Sequence, residues 1–334
     1  MASIMIPPDG ARRFLDNAGW RGAEILPLAG DASFRRYFRV VDGARRAILM
    51  DAPPPHEDPR PFIRVGEWLS ANGFAAPQIL ARDLSRGLVL LEDFGDARVR
   101  EHLDTAPGDE MAIYRRAVDV LVDLHKLPAQ PGLAPYDLDV CQREAGLLTE
   151  WFAPAAGLDV DVAAYTAAWD AVLPIAERDA APTVTVLRDY HAENIMLLPD
   201  ARRSHGLGLL DFQDALAGHP AYDLVSLLQD ARRDVSPDVE RAMLTYYQGQ
   251  ARVSSDFEAA YAVLGAQRNA KIIGIFTRLW KRDGKPRYLS FLPRMWGLLE
   301  RDLAHPALAP VADWFAANVP VEARGALTVE RGEA

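Results

Sequence analysis

Asp189 and Asn194 stand five positions apart in Val186-Leu-Arg-Asp-Tyr-His-Ala-Glu-Asn-Ile-Met196, and Asp211 closes the apolar run of Leu209-Leu-Asp-Phe212. These residue types suit one piece of chemistry. A carboxylate can take the proton of an attacking hydroxyl, while an amide oxygen and a second carboxylate can hold a hard cation such as Mg²⁺. Phosphoryl transfer asks for little else from a protein. The spacing alone is weak, because Asp189 could equally cap a helix and Asn194 could make an Asx-turn.

The surrounding pattern must therefore position them. Short apolar runs at Ile195–Leu198 and Leu207–Phe212 flank the polar stretch Pro199-Asp-Ala-Arg-Arg-Ser-His-Gly206 and predict a hairpin. Antiparallel pairing would bring Asn194, just before the first strand, beside Asp211 at the end of the second. Asp189 lies in the loop leading in. Upstream, a helix is expected over 11–20, strands over 23–28, 37–41 and 46–50, a helix over 61–72, and strands over 78–84 and 87–91. Phe62, Val65 and Leu69 recur at helical spacing. After Glu92-Asp-Phe-Gly-Asp96 the pattern turns helical, with helices expected over 110–126, 139–152, 163–178, 222–231, 237–250, 257–279 and 293–303. The expected fold class is α+β. A small β-rich N-terminal lobe, residues 1–94, joins a larger mainly helical C-terminal lobe, residues 95–334, with Glu92–Gly95 as the hinge and a ligand cleft at the junction.

Bulk properties narrow the function. The chain has 334 residues, 49% of them hydrophobic, and a net charge of -10. Such a chain builds a sizeable core and is no general nucleic-acid binder. Its one cysteine, Cys141, forms no internal disulfide and no CxxC motif, and is expected as a buried thiol. The run Ile4-Met5-Ile6 is too short for a secretion signal, and no stretch is long and apolar enough to span a bilayer. The expectation is a soluble cytoplasmic protein that needs no nucleic acid, membrane or obligate protein partner.

Arg188-Asp-Tyr-His-Ala-Glu-Asn194 and Leu210-Asp-Phe212 resemble the catalytic and metal loops of the aminoglycoside phosphotransferase family, small-molecule relatives of protein kinases. The order of elements matches over nearly the whole chain. The resemblance implies a protein-kinase-like two-lobe fold and an Mg²⁺-dependent kinase using ATP or GTP. Asp189 would be the base, and Asn194 and Asp211 the magnesium ligands. The backbone of Glu92, Asp93 and Phe94 would meet the adenine. Further segments, among them Ala32-Ser-Phe-Arg-Arg-Tyr-Phe-Arg39, Leu49-Met-Asp-Ala-Pro-Pro54 and Arg268-Asn-Ala-Lys-Ile-Ile-Gly-Ile-Phe276, are similar to bacterial kinases of the anomeric hydroxyl of N-acetylmuramate and N-acetylglucosamine. An amino sugar is then the acceptor and cell-wall recycling the setting. An antibiotic-modifying kinase, with Asp137–Asp139 and Glu144 as an acidic wall, and a nucleotide-binding pseudokinase are the alternatives.

The pattern departs from kinases mildly at Phe212-Gln213, which replaces the Phe-Gly of protein kinases, and more deeply in two phosphate-binding places. The third strand, Arg46-Ala-Ile-Leu-Met-Asp51, carries no lysine to grip phosphate, which leaves Arg35 and Arg36, with Arg39 beside them, as candidates. The phosphate loop Gly30, Asp31, Ala32, Ser33 offers one glycine and a hydroxyl whose backbone would have to cradle the nucleotide. Asp223 is expected to order the catalytic loop through hydrogen bonds, His191 to pack or hydrogen-bond within it, and Arg268, Arg278, Arg282 and Lys285 to line a solvated helix face.

Overall fold

A computed structural model describes residues 5–28, 34–178, 181–200, 203–251, 253–325 and 327. The expected phosphate loop, Gly30 to Ser33, lies outside these. The chain runs through α1 (Ala11–Asn17), β1 (Glu24–Pro27), β2 (Arg36–Asp42), β3 (Arg45–Asp51), α2 (Arg60–Ala71), β4 (Ile79–Asp83), β5 (Leu88–Glu92), α3 (Val99–Thr105) and α4 (Glu110–Leu124). It continues through α5 (Leu138–Ala145), the single turn α6 (Ala153–Ala155), α7 (Val162–Val172), α8 (Ile175–Arg178), β6 (Val184–Val186), β7 (Ile195–Leu197), β8 (Leu207–Leu209) and β9 (Leu216–Gly218). The last elements are α9 (Ala221–Leu228), α10 (Pro237–Gln250), α11 (Phe257–Lys281), α12 (Leu292–Leu303) and α13 (Ala309–Asn318). Two compact units result: Met1–Val120 with Glu193–Ala215, and Leu121–Ala192 with Leu216–Ala334.

The first unit holds an antiparallel sheet in the order β1-β2-β3-β5-β4. Strand residues alternate between its faces. Phe38, Val40, Ala47, Leu49, Leu88 and Leu90 point to one side and form a core with Phe14 and Leu15 of α1 and with Trp20. In α2 the expected helical face is buried at Phe62, Val65 and Leu69. The hairpin β7–β8 belongs to this unit because both of its edges are tied there. Leu209 N–H donates to Ala75 O at 2.8 Å, and Leu197 N–H to Ala97 O at 2.7 Å.

The second unit is mainly helical. Its central helix, α11, is buried nearly all round, from Phe257 to Trp280. Gly274 lets it approach the chain closely, since a Cβ there would stand 2.3 Å from the backbone carbon of Leu147. This burial corrects the solvated-face reading of Arg268, which is 4% exposed and donates to Ser226 Oγ at 2.9 Å. A two-stranded sheet, β6 with β9, is a further element, registered Val184 to Gly218 and Val186 to Leu216. Cys141 is buried, and burial pushes its thiol up to about 12. No described helix is long and apolar enough to cross a membrane.

Candidate active site

The segment that carries Asn194 and Asp211 is built in the first unit. Register on the hairpin pairs Ile195 with Leu209, and Leu210 N–H donates to Asn194 O at 2.9 Å. Residues 17 apart in sequence thereby meet: Asn194 Nδ2 donates to Asp211 Oδ2 at 3.4 Å. Gln213 Nε2 donates to Asp211 Oδ1 at 2.8 Å. Asp211 itself has φ of 58°, a left-handed backbone that costs an L-residue about 1–2 kcal/mol. Its neighbour Phe212 is buried and stacks on Phe62 of α2 at 4.8 Å, which fixes the turn. Strain of this kind is held only where packing over-determines it.

The end of β5 and the segment Asp93–Gly95 after it lie in the same unit. Arg203, from the hairpin turn, grips Glu92 with two nitrogens at 2.6 and 3.0 Å and lies over the Phe94 ring at 5.4 Å. Asp93 is 4% exposed at its side chain and meets Arg39 at 2.7 Å, while its Oδ1 accepts Gly95 N–H at 2.8 Å. Phe94 rests on Gly208, where a Cβ would come within 2.7 Å of the ring. Arg36 pairs with the buried Asp51 at 2.6 Å.

The loop that carries Asp189 is built in the second unit, on α9 and the segment after it. Leu187 N–H donates to Asp223 Oδ2 at 2.7 Å and Arg188 N–H to Asp223 Oδ1 at 2.8 Å. Ser226 Oγ donates to Arg188 O at 3.0 Å, and Ala192 N–H to Asp230 Oδ2 at 3.3 Å. Both ends of the loop around Asp189 are thus clamped. Within it, His191 N–H donates to Asp189 O at 3.1 Å, and the His191 ring is buried. Arg188, immediately before Asp189, has φ of 70°. Its guanidinium is ion-paired with Glu144. Lys271 Nζ meets the same carboxylate at 2.9 Å, and Tyr136 Oη donates to it at 2.6 Å. Burial would raise the Glu144 carboxyl, but Lys271 and Arg188 outweigh it and hold it below the usual range.

The donor set at the hairpin end fits a hard cation. One carboxylate and one carboxamide suit Mg²⁺, which takes its remaining ligands from phosphate and water. Among the described residues no group of three or more His, Cys, Asp or Glu side chains is assembled for a metal.

The model of the phosphotransferase enzyme family matches residues 24–262, a span that includes Asp189, Asn194 and Asp211. The chain belongs to this family. Two relatives of this phosphotransferase are the N-acetylmuramate/N-acetylglucosamine kinases of Caulobacter vibrioides and Pseudomonas aeruginosa. The first is 39% identical, with 93% of this chain and 96% of the relative covered; the second is 39% identical, with 88% of each covered. Among solved structures, a choline/ethanolamine kinase family protein from Mesorhizobium loti superposes with a TM-score of 0.63 at 16% identity, covering 91% of this chain and 98% of its own. An ADP-bound aminoglycoside phosphotransferase superposes at 0.59 and 15% identity, covering 91% and 99%. These likenesses establish the protein-kinase-like fold expected from the sequence.

Two contacts join residues that the sequence pattern did not link. Arg203 acts on Glu92 from 111 positions away. Lys271 of α11 and Arg188 of the loop after β6 converge on Glu144 of α5. No local spacing could have announced either meeting.

Proposed function

We propose that this phosphotransferase is a magnesium-dependent kinase that moves the γ-phosphate of ATP or GTP to the anomeric hydroxyl of N-acetylmuramate or N-acetylglucosamine, in the cytoplasm. The observation that carries the acceptor is the 39% identity, over 93% of the chain, to a kinase that bears those two sugars in its name. In this reading residues 1–94 serve chiefly the nucleotide, and residues 95–334 serve catalysis and the acceptor.

Asp189 accepts the proton of the sugar hydroxyl as that oxygen attacks phosphorus. The clamps from Asp223, Ser226 and Asp230 support this role by fixing the loop that carries it. Asn194 and Asp211 would hold Mg²⁺, which when bound neutralises the phosphate oxygens. Backbone groups of Glu92 to Phe94 meet the nucleobase, with Arg203 and Arg39 keeping that segment in shape.

The antibiotic-kinase alternative loses its wall. Glu144 is already neutralised by Arg188 and Lys271, and Asp137 caps α5 by accepting Val140 N–H at 3.0 Å. A substrate panel of amino sugars and aminoglycosides, with NMR location of the new phosphate, tests the proposal. A sugar 1-phosphate is expected from the amino sugars only. Asp189→Asn should abolish turnover yet keep nucleotide binding, and a variant with near-normal turnover would remove Asp189 from the base's role.

A further inference from the structure

The arginines around β2 separate by parity. Register sets Tyr37 opposite Met50 and Arg39 opposite Ile48, and Met50 opposite Val89. Phe38, Val40, Leu49 and Leu90 face α1, so Tyr37, Arg39, Met50 and Val89 take the opposite face. Arg36 has the parity of Phe38 and is held there by Asp51 and by Ile6 O at 3.3 Å. Arg39 shares the face of Met50 but is tied to Asp93 and Asp96 at 2.7 and 2.8 Å. Arg35, just before β2 and two residues before Tyr37, has the parity of that face, on which the third strand offers Arg46, Ile48 and Met50 and no lysine.

Arg35 is also placed by its partners. Its Nε donates to Glu57 Oε2 at 3.1 Å, and its side chain is 12% exposed. The preceding ring, Phe34, stacks on His56 at 5.4 Å, so residues 34–35 are clasped to 56–57. Burial pulls the Arg35 guanidinium down, but Tyr37, Glu57 and Asp211 together raise it above its ordinary value. Burial raises the Tyr37 phenol, which also feels Arg35 and Asp211. Arg35, Tyr37, Glu57 and Asp211 therefore form one electrostatic cluster within the first unit.

We propose that Arg35, braced by Glu57, is the cation that grips the nucleotide's phosphates in place of the lysine missing from position 50. This rests on the kinase reading above. A guanidinium carries five N–H donors in a fixed fork that matches phosphate, and Glu57 holds this one through Nε. Glu57 sets the side chain's direction, and Asp211 sets the charge balance that a metal–phosphate complex would complete.

The test measures binding of MgATP by titration calorimetry to the full chain and to Arg35→Met, Arg35→Lys, Glu57→Gln and Arg36→Met, with melting curves for each. Kinase KM and kcat on N-acetylmuramate are measured alongside. Arg35→Met should weaken MgATP by roughly tenfold or more, the scale of a lost charge-assisted contact. Arg35→Lys should recover part of this, and Glu57→Gln should weaken ATP without raising the sugar's KM. Arg36→Met should melt earlier but bind ATP as the parent does. Folded Arg35→Met that binds MgATP within about twofold of the parent overturns the proposal. If that variant does not fold, unchanged ATP affinity in Glu57→Gln overturns it. Arg35-dependent ATP binding without phosphate transfer to any amino sugar would sink the acceptor reading and leave this inference standing. Sugar phosphorylation with a parental KM for ATP in Arg35→Met would do the reverse.

Discussion

Both oxygens of Asp223 accept backbone N–H groups from the residues just before Asp189, so the carboxylate fits its surroundings better than the acid. Burial nevertheless raises this carboxyl to about 7; the Leu187 and Arg188 N–H groups oppose the rise, Asp189 adds to it and Arg268 opposes it. A raised carboxyl contributes stability below its unfolded pKa of about 4 and loses it as pH climbs through about 7. The ionised form, present above that value, is the one that can hold both amides. Turnover should therefore rise with pH through about 7 in the parent. Asp223→Asn sets an amide N–H₂ against one of the two donors, at a cost of about 1–3 kcal/mol to the loop. We expect kcat to fall at least tenfold with KM for nucleotide little changed, and the acid limb near pH 7 to vanish. A parental kcat in Asp223→Asn, read from a pH series, would mean that the loop does not depend on this clamp.

At the scale of elements, the contact between β8 and Phe94 makes a sharper demand. Gly208 lies under Phe94, and a side chain there meets the ring at 2.7 Å. Gly208→Val should push the ring aside and loosen Arg203 from its face. A stability loss of about 1–3 kcal/mol is expected, with weaker nucleotide binding in the same titration. Unchanged affinity in a folded variant would take Phe94 out of the nucleotide site. The hairpin that carries this contact was legible in the sequence, because apolar runs flank a polar turn and place Asn194 and Asp211 level. The β strands of the first half were legible by alternation and turn residues. The pairing of Val184–Val186 with Leu216–Gly218 was not, since strands of three residues leave no periodic trace. Helix α3 leaves little trace in the sequence because its apolar residues, Val99 and Leu103, make one buried pair rather than a stripe. The burial of Arg268 was hidden for a different reason: α11 is central, and polar side chains on it are satisfied by partners from distant segments.

For the whole molecule, acid stability turns on a buried imidazole. His125 packs at 8% exposure against Tyr247, with Nδ1 at 2.8 Å from the phenol oxygen. Burial, with His219 adding to it, lowers its pKa from 6.5 to about 3. The unfolded chain takes up the proton first, so this group's contribution is full above about 6.5 and drains as pH falls toward 3. The slope is at most about 1.4 kcal/mol per pH unit. His125→Asn should be less stable at neutral pH but should lose less between pH 6.5 and 5 than the parent. The difference between the two melting curves cancels the opposite drift from Asp223. Parallel losses in parent and variant would show that His125 is not the acid-sensitive group.

The lone thiol has a practical consequence. Cys141 is walled off inside the helical unit, with its ionisation pushed up to about 12, and a thiol that stays protonated and covered is slow to react. The native chain is thus a ready background for labelling, in which maleimide dyes or spin labels would go to an introduced surface cysteine without first removing the resident one.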